Sequence, residues 1–255
     1  MTEKQKVNVS LKQLPFDIIT KKQMREDARE RVHLISKEFT DGFNFLENFP
    51  KSVTFFGGNH FKETDRYYMK ARLLASRIVK ELHYSILTGG GPGIMEAANR
   101  GAFEVGGESV GLTIELPNHQ VQNSYLTKNL DFYYFFSRKV CLSFSAEAYL
   151  FFPGGYGTLD EFFEFITLIQ TGKLDRTPII LVGSDFWNPL DEFIKKELLS
   201  RETIDEADLA LYIITDNEDQ IMEIIRNAPI HENIKFTHKD LHPSGIDVER
   251  KKIGL

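Results

Sequence analysis

The sequence predicts an α/β fold: a Rossmann-like, doubly wound, mostly parallel sheet with helices on both faces. Short apolar runs alternate with helical patterns from Val53 to Asn227, the signature of strands joined through crossover helices. Two of those runs end in glycine-dense turns that open a helix, Gly89-Gly90-Gly91-Pro92-Gly93 and Pro153-Gly154-Gly155-Tyr156-Gly157. Turns of that kind lie at the carboxyl edge of a parallel sheet. The 255 residues suit one domain with extensions, and 42% apolar content fills a sizeable core.

Residues 1–50 are expected to form a helical N-terminal extension. They are highly charged, with a helix from about Lys21 to Leu46 on which Val32, Ile35, Phe39, Phe43 and Leu46 recur at helical spacing. That stripe packs on the main body or on a partner subunit. Residues 51–228 are expected to be the Rossmann-like domain. Val53–Phe56 reads as a strand ending in Gly57-Gly58-Asn59. The helix from Asp65 to Leu82 has a buried stripe through Tyr67, Ala71, Leu74, Ala75, Ile78 and Leu82. The strand Ser85–Thr88 and a helix from Gly93 to about Val105 follow. Val110–Glu115 reads as a strand, and Phe132–Phe136 as another, rich in aromatics. Next come a helix from about Arg138, the strand Ala148–Phe152, the helix Thr158–Thr171 and the strand Ile179–Val182. Helix Pro189–Leu199, strand Leu211–Ile214 and helix Glu218–Asn227 complete the series. Residues 229–255 form a polar tail broken by Pro243 and Gly245.

Composition narrows the function. The formal net charge is -6 with no basic run, so neither nucleic acid nor an anionic membrane is expected as a main partner. No segment approaches the roughly 20 apolar residues of a membrane helix. Met1–Val9 is polar and unlike a secretory signal, and a cytoplasmic protein is expected. Cys141 stands alone between Val140 and Leu142 and reads as a small buried apolar residue. His238-x-x-x-His242 has zinc-like spacing, but nothing completes a ligand set, and no metal is expected. No G-x-S-x-G elbow is present.

The chemistry gathers at the glycine turns. Neither is a dinucleotide fingerprint or a P-loop. Each sets glycines before a helix N-terminus, where unpaired N–H groups and close backbone approach suit a phosphate. Thr158-x-x-Glu161 taken alone is a capping box. The glycine density before it favours an anion on Thr158, with Glu161 turned to a sugar. Arg138-Lys139 places two cations where a helix start disfavours them, which points to a ligand against the alternative of a solvated pair. Glu96 reads equally as a first-turn acid or a ligand contact, and Asn59 as a nucleotide contact or a turn residue. The wide apolar face of helix 158–171 meets either another subunit or the N-terminal extension.

These residues resemble the LONELY GUY family, whose members have often been labelled lysine decarboxylases. The resemblance spans roughly Ser52 to Asn227. It rests on P-G-G-x-G-T-x-x-E at Pro153–Glu161, on Gly89–Glu96 and on Arg138-Lys139. It implies a Rossmann-like fold, a homodimer or larger assembly, and hydrolysis of nucleoside 5′-monophosphates to free base and ribose 5-phosphate, with no cofactor. It further implies Arg138 and Glu161 as the catalytic pair. Gly57, Asn59, Gly90, Gly91, Gly93, Met95, Glu96, Lys139, Gly154, Gly155, Gly157 and Thr158 would hold the substrate and its phosphate. A non-catalytic carrier of a nucleotide or of molybdenum cofactor is the alternative on the same fold. No residue reads as a Schiff-base lysine with a pyridoxal site. The first strand ends Gly57-Gly58-Asn59 where many members have a serine after the glycine. Ile114–Phe136 and the N-terminal extension also depart from the compact plant-type pattern.

Overall fold

The computed structural model describes residues 21–115 and 122–229. The polar start of the chain, His119, and the tail with His231, His238 and His242 lie outside them. Helix α1 (Lys21–Leu46) precedes a single sheet of parallel strands. Strand β1 (Ser52–Phe56), α2 (Arg66–Leu82), β2 (Ser85–Thr88), α3 (Ile94–Phe103), β3 (Ser109–Ile114) and β4 (Lys128–Phe132) come first. Then follow α4 (Phe135–Ser143), β5 (Ala148–Phe151), α5 (Tyr156–Gln170), β6 (Ile179–Leu181), α6 (Ser184–Phe193), β7 (Ile213–Ile214) and α7 (Glu218–Arg226).

The strand order is β4-β3-β2-β1-β5-β6-β7. The chain builds outward from β1 to β4, returns to lay β5 beside β1, and builds outward again. The order therefore reverses between β1 and β5, where open α/β sheets hold their ligands. Val53 pairs with Ala148 and Phe56 with Phe151 across that junction. The buried Glu147 carboxylate accepts the Ser52 amide at 2.7 Å, tying the start of β1 to a segment 95 residues away.

Alternation along the strands sends side chains to two cores. Val53 and Phe55 join α2, α3 and α7 on one face, while Phe56 and Phe151 join α4, α5 and α6 on the other. The second core is densely aromatic: Phe56 stacks on Phe151 at 4.6 Å and Tyr149 meets Phe165 edge-on at 4.5 Å. Such pairs contribute about 0.5–1.5 kcal/mol each beyond burial, so α5 sits on a stiff platform. Cys141 is fully buried in the same core, and burial pushes its thiol up to about 12. It is structural, as its neighbours suggest.

Helix α1 lies against α4 and β4. Phe39, Phe45 and Leu46 pack onto the aromatic core, whereas Val32 and Phe43 of the expected stripe are exposed. Three further expectations shift. The aromatic run is not a strand: β4 ends at Phe132, and Phe135 and Phe136 begin α4. The true strand is a half-polar edge, Lys128-Asn129-Leu130-Asp131-Phe132, paired to β3 alone, so it lacks an apolar run. Helix α6 starts at Ser184 rather than Pro189, because Asp216 accepts the Gly183 and Ser184 amides at 2.7 and 3.0 Å. After Phe193 it widens into a π-turn over Ile194–Leu199. The last strand shrinks to Ile213–Ile214 behind a 3-10 turn at Glu206–Leu211.

Candidate active site

A cleft of about 1170 Å³ opens over the carboxyl ends of β1 and β5. Its floor is three loops locked together, those after β1, β2 and β5. The Gly58 amide donates to the Pro153 carbonyl at 2.9 Å, and the Ile94 amide donates to the Gly58 carbonyl at 3.1 Å. Gly57 and Gly93 make this junction possible. A Cβ at Gly57 would meet Ile94 Cβ at 2.7 Å, and one at Gly93 would lie 2.4 Å from the Gly58 carbonyl oxygen. Gly93 also has φ +73°, a region side chains disfavour. These glycines serve packing. Gly155 and Gly157 are different: a Cβ on either meets nothing within 4 Å, because both face the open cleft at the N-terminus of α5.

The helix begins at Tyr156 with Gly155 as its cap, and no side chain caps it. Thr158 is thus the third helical residue and Glu161 lies in the second turn, so the capping box does not form. Free N–H groups and the positive end of the helix face the cleft, an arrangement suited to an anion. Thr158, buried, lines the same wall.

Glu161 and Arg138 meet on one side of this cradle. Arg138 Nη2 lies 3.6 Å from Glu161 Oε1, with both side chains largely buried. Burial raises the Glu161 carboxyl to about 7, with Arg138 and then Lys139 drawing it back. Burial lowers Arg138, opposed by Glu161. The guanidinium is under-satisfied. Nη1 reaches the Leu112 carbonyl at 3.5 Å, and the buried Nε has no hydrogen-bond partner. The Phe135 ring lies 5.7 Å from its charged centre. Donors held dry and unpaired beside a cleft are costly unless a ligand meets them.

The remaining candidates separate. Asn59 and Met95 line the cleft with Gly154 and Gly89. Gly90 packs on Thr113, and the Gly91 carbonyl accepts from Asn123 Nδ2 at 3.1 Å. Glu96 accepts the Tyr68 hydroxyl at 2.9 Å, and Lys139 ion-pairs with Asp160 and Glu164 at 2.8 Å each. Neither Glu96 nor Lys139 lines the cleft. The cleft is also lined by Gly89 of the first glycine turn and by Ile114 and Phe135 of the divergent 114–136 segment, none of them singled out from sequence as a site residue. Tyr67, Asp185 and Phe186, which sequence reading missed, line it at the other end. Gly89 and Ile114 could have been found from their position at the ends of β2 and β3. Among the described residues no cluster of His, Cys, Asp or Glu could hold a metal. No described helix is long and apolar enough to cross a membrane.

Residues 95–225 match the family model described as possible lysine decarboxylase. The chain is 23% identical over 213 residues to a probable cytokinin riboside 5′-monophosphate phosphoribohydrolase of Oryza sativa subsp. japonica, covering 81% of this chain and 86% of the relative. It is 29% identical over 165 residues to a pyrimidine/purine nucleotide 5′-monophosphate nucleosidase of Escherichia coli, covering 57% of this chain and 34% of that protein. In fold it is similar to the molybdenum cofactor binding protein of Rippkaea orientalis, with TM-score 0.51 and 18% identity over 69% of this chain and 95% of that one.

Proposed function

Because the chain belongs to the possible-lysine-decarboxylase family, the family of the LONELY GUY phosphoribohydrolases, we propose that it hydrolyses the N-glycosidic bond of a purine nucleoside 5′-monophosphate. Free base and ribose 5-phosphate would be the products. The single observation that carries this reading is the buried Glu161–Arg138 pair beside the uncapped N-terminus of α5. A carrier needs the cradle; it has no use for a desolvated carboxylate poised near neutrality.

In this reading the 5′-phosphate rests on the amides at Gly155–Thr158, with Asn59 and Met95 along the cleft. The bond from the anomeric carbon to the base nitrogen breaks, and positive charge grows on the ribose as in other glycoside hydrolysis. The Glu161 carboxylate stabilises that charge and takes a proton from the attacking water, whose oxygen bonds to the anomeric carbon. The departing base nitrogen is the proton's final destination. Arg138 attracts Glu161 across 3.6 Å and offers its unpaired donors to the ribose in charge-assisted hydrogen bonds. A homodimer or larger cytoplasmic assembly belongs to the same proposal.

The experiment is to incubate the purified protein with AMP and follow adenine and ribose 5-phosphate by chromatography, with Glu161→Gln alongside. Base release lost in the variant supports the reading. Binding of AMP and of a panel of other monophosphates without release from any would overturn it in favour of a carrier.

A further inference from the structure

Arg138 sits on α4, and α4 cannot cap its own N-terminus. Its cap residue is Tyr134, which offers no side-chain hydrogen bond. The corner from β4 into α4 would leave donors unpaired in a half-buried setting, with two cations, Arg138 and Lys139, close behind. Helix α1 supplies what is missing. The half-buried Glu38 carboxylate accepts the Tyr133 amide at 2.6 Å and the Tyr134 amide at 3.4 Å, and it also accepts the Ser137 hydroxyl. The Arg138 amide in turn donates to the Tyr134 carbonyl at 3.3 Å. Tyr134 is thus held by Glu38 at its N–H and by the backbone of Arg138 at its carbonyl.

The reach of Glu38 is fixed one turn away. Gly42 lies four residues on, on the same face of α1. A Cβ there would come within 2.5 Å of Cys141 Sγ and 3.1 Å of Phe132 Cζ. Only a glycine lets α1 approach closely enough for Glu38 to span the gap. A carboxylate at that point also offsets the positive end of α4, which otherwise disfavours Arg138 and Lys139. The carboxylate also sets a negative charge beside this N-terminus, which disfavours a second anion there.

We propose that Glu38 is a positioning residue for the reaction: by capping α4 from α1 it fixes the direction in which Arg138 faces Glu161. The proposal rests on the glycosidase reading above, and its test separates the two. Steady-state AMP hydrolysis and hydrogen exchange by mass spectrometry are compared for Glu38→Ala and Glu38→Gln, each alone and with Arg138→Lys. Expected are about a tenfold loss of kcat in Glu38→Ala with KM changed less than threefold, and exchange of amides 133–139 faster by at least tenfold with α5 unchanged. Glu38→Gln, which keeps an acceptor, recovers most of both. In the Arg138→Lys background Glu38→Ala costs less than a further twofold, because the residue acts through Arg138. Full kcat in Glu38→Ala, or the same tenfold loss on top of Arg138→Lys, would overturn the proposal. Should Glu38→Ala not fold, Glu38→Asp, shorter by one methylene, carries the same readouts. If the unaltered protein releases no base, the glycosidase reading falls, and exchange alone decides. Acceleration confined to 133–139 then supports the cap, and unchanged exchange overturns it.

Discussion

Arg138 and Glu161 stand 3.6 Å apart, near enough to attract and too far for a good hydrogen bond. The gap explains why burial outweighs pairing for both groups. Each is drawn toward its neutral form, and the pair holds charge that a ligand can complete.

The pH dependence of catalysis follows from the carboxyl at about 7. If ionised Glu161 is the base, kcat/KM for AMP falls about tenfold per unit on the acid side of pH 7 and levels off above pH 8. A pH–rate profile checks this. A flat profile from pH 5 to 8 would remove Glu161 from proton transfer.

Stability should show the same group with the opposite preference. A carboxyl raised from 4.5 to about 7 binds its proton more tightly in the folded chain. Its contribution is therefore complete below pH 4.5 and lost as pH rises through 7. Glu161→Gln removes that loss, so the variant should gain on the order of 3 kcal/mol at pH 8 and almost nothing at pH 4.5. Urea unfolding at the two pH values gives the answer.

Replacing Arg138 should slow the reaction and move its profile. Arg138 holds the Glu161 carboxyl down, so Arg138→Ala shifts the acid limb to higher pH. It should also lower kcat by roughly 10²–10³, the usual loss for an electrostatic stabiliser. An unshifted limb would show that the two groups are not coupled.

The glycines should divide into two classes. Gly157→Ala places a methyl in open space on a helix. It should raise stability by up to about 1 kcal/mol while weakening AMP binding at least tenfold. Gly93→Ala meets the Gly58 carbonyl at positive φ and should cost about 2 kcal/mol or more. Thermal unfolding and AMP titration of both variants test the division.

Lys139→Ala should leave KM for AMP within about threefold, since its ammonium is engaged by Asp160 and Glu164 on α5. A tenfold rise in KM would return Lys139 to the substrate.

What could be read from the residues follows from how local each interaction is. Asp65 caps α2 and Asn217 caps α7 from within their own segments, and those two helices were anticipated to within a residue. Helices α4 and α6 are capped by Glu38 and Asp216, which lie far off in sequence, and both starts were misread. The site behaves likewise. Glycine turns announce a cradle from sequence alone, but Arg138 and Lys139 are neighbours on a helix pointing about 100° apart. Only the packing of α4 decides that one faces the cleft and the other faces α5. Phe135 joins the site through the turn from β4 into α4, with no local mark.

The junction of β1 with β5 has a consequence for how the protein comes into being. The cleft spans the junction of β1 with β5, segments about 95 residues apart in the chain, and such distant pairings form slowly. A chain emerging during synthesis carries its first glycine turn long before the second exists, so a nucleotide has nothing to grip until the sheet closes. A nucleotide bound as proposed would then act only as a latch on the finished fold, slowing its opening. It gives no help to an arrested half-sheet, whose exposed β1 edge is left open to pairing with other chains.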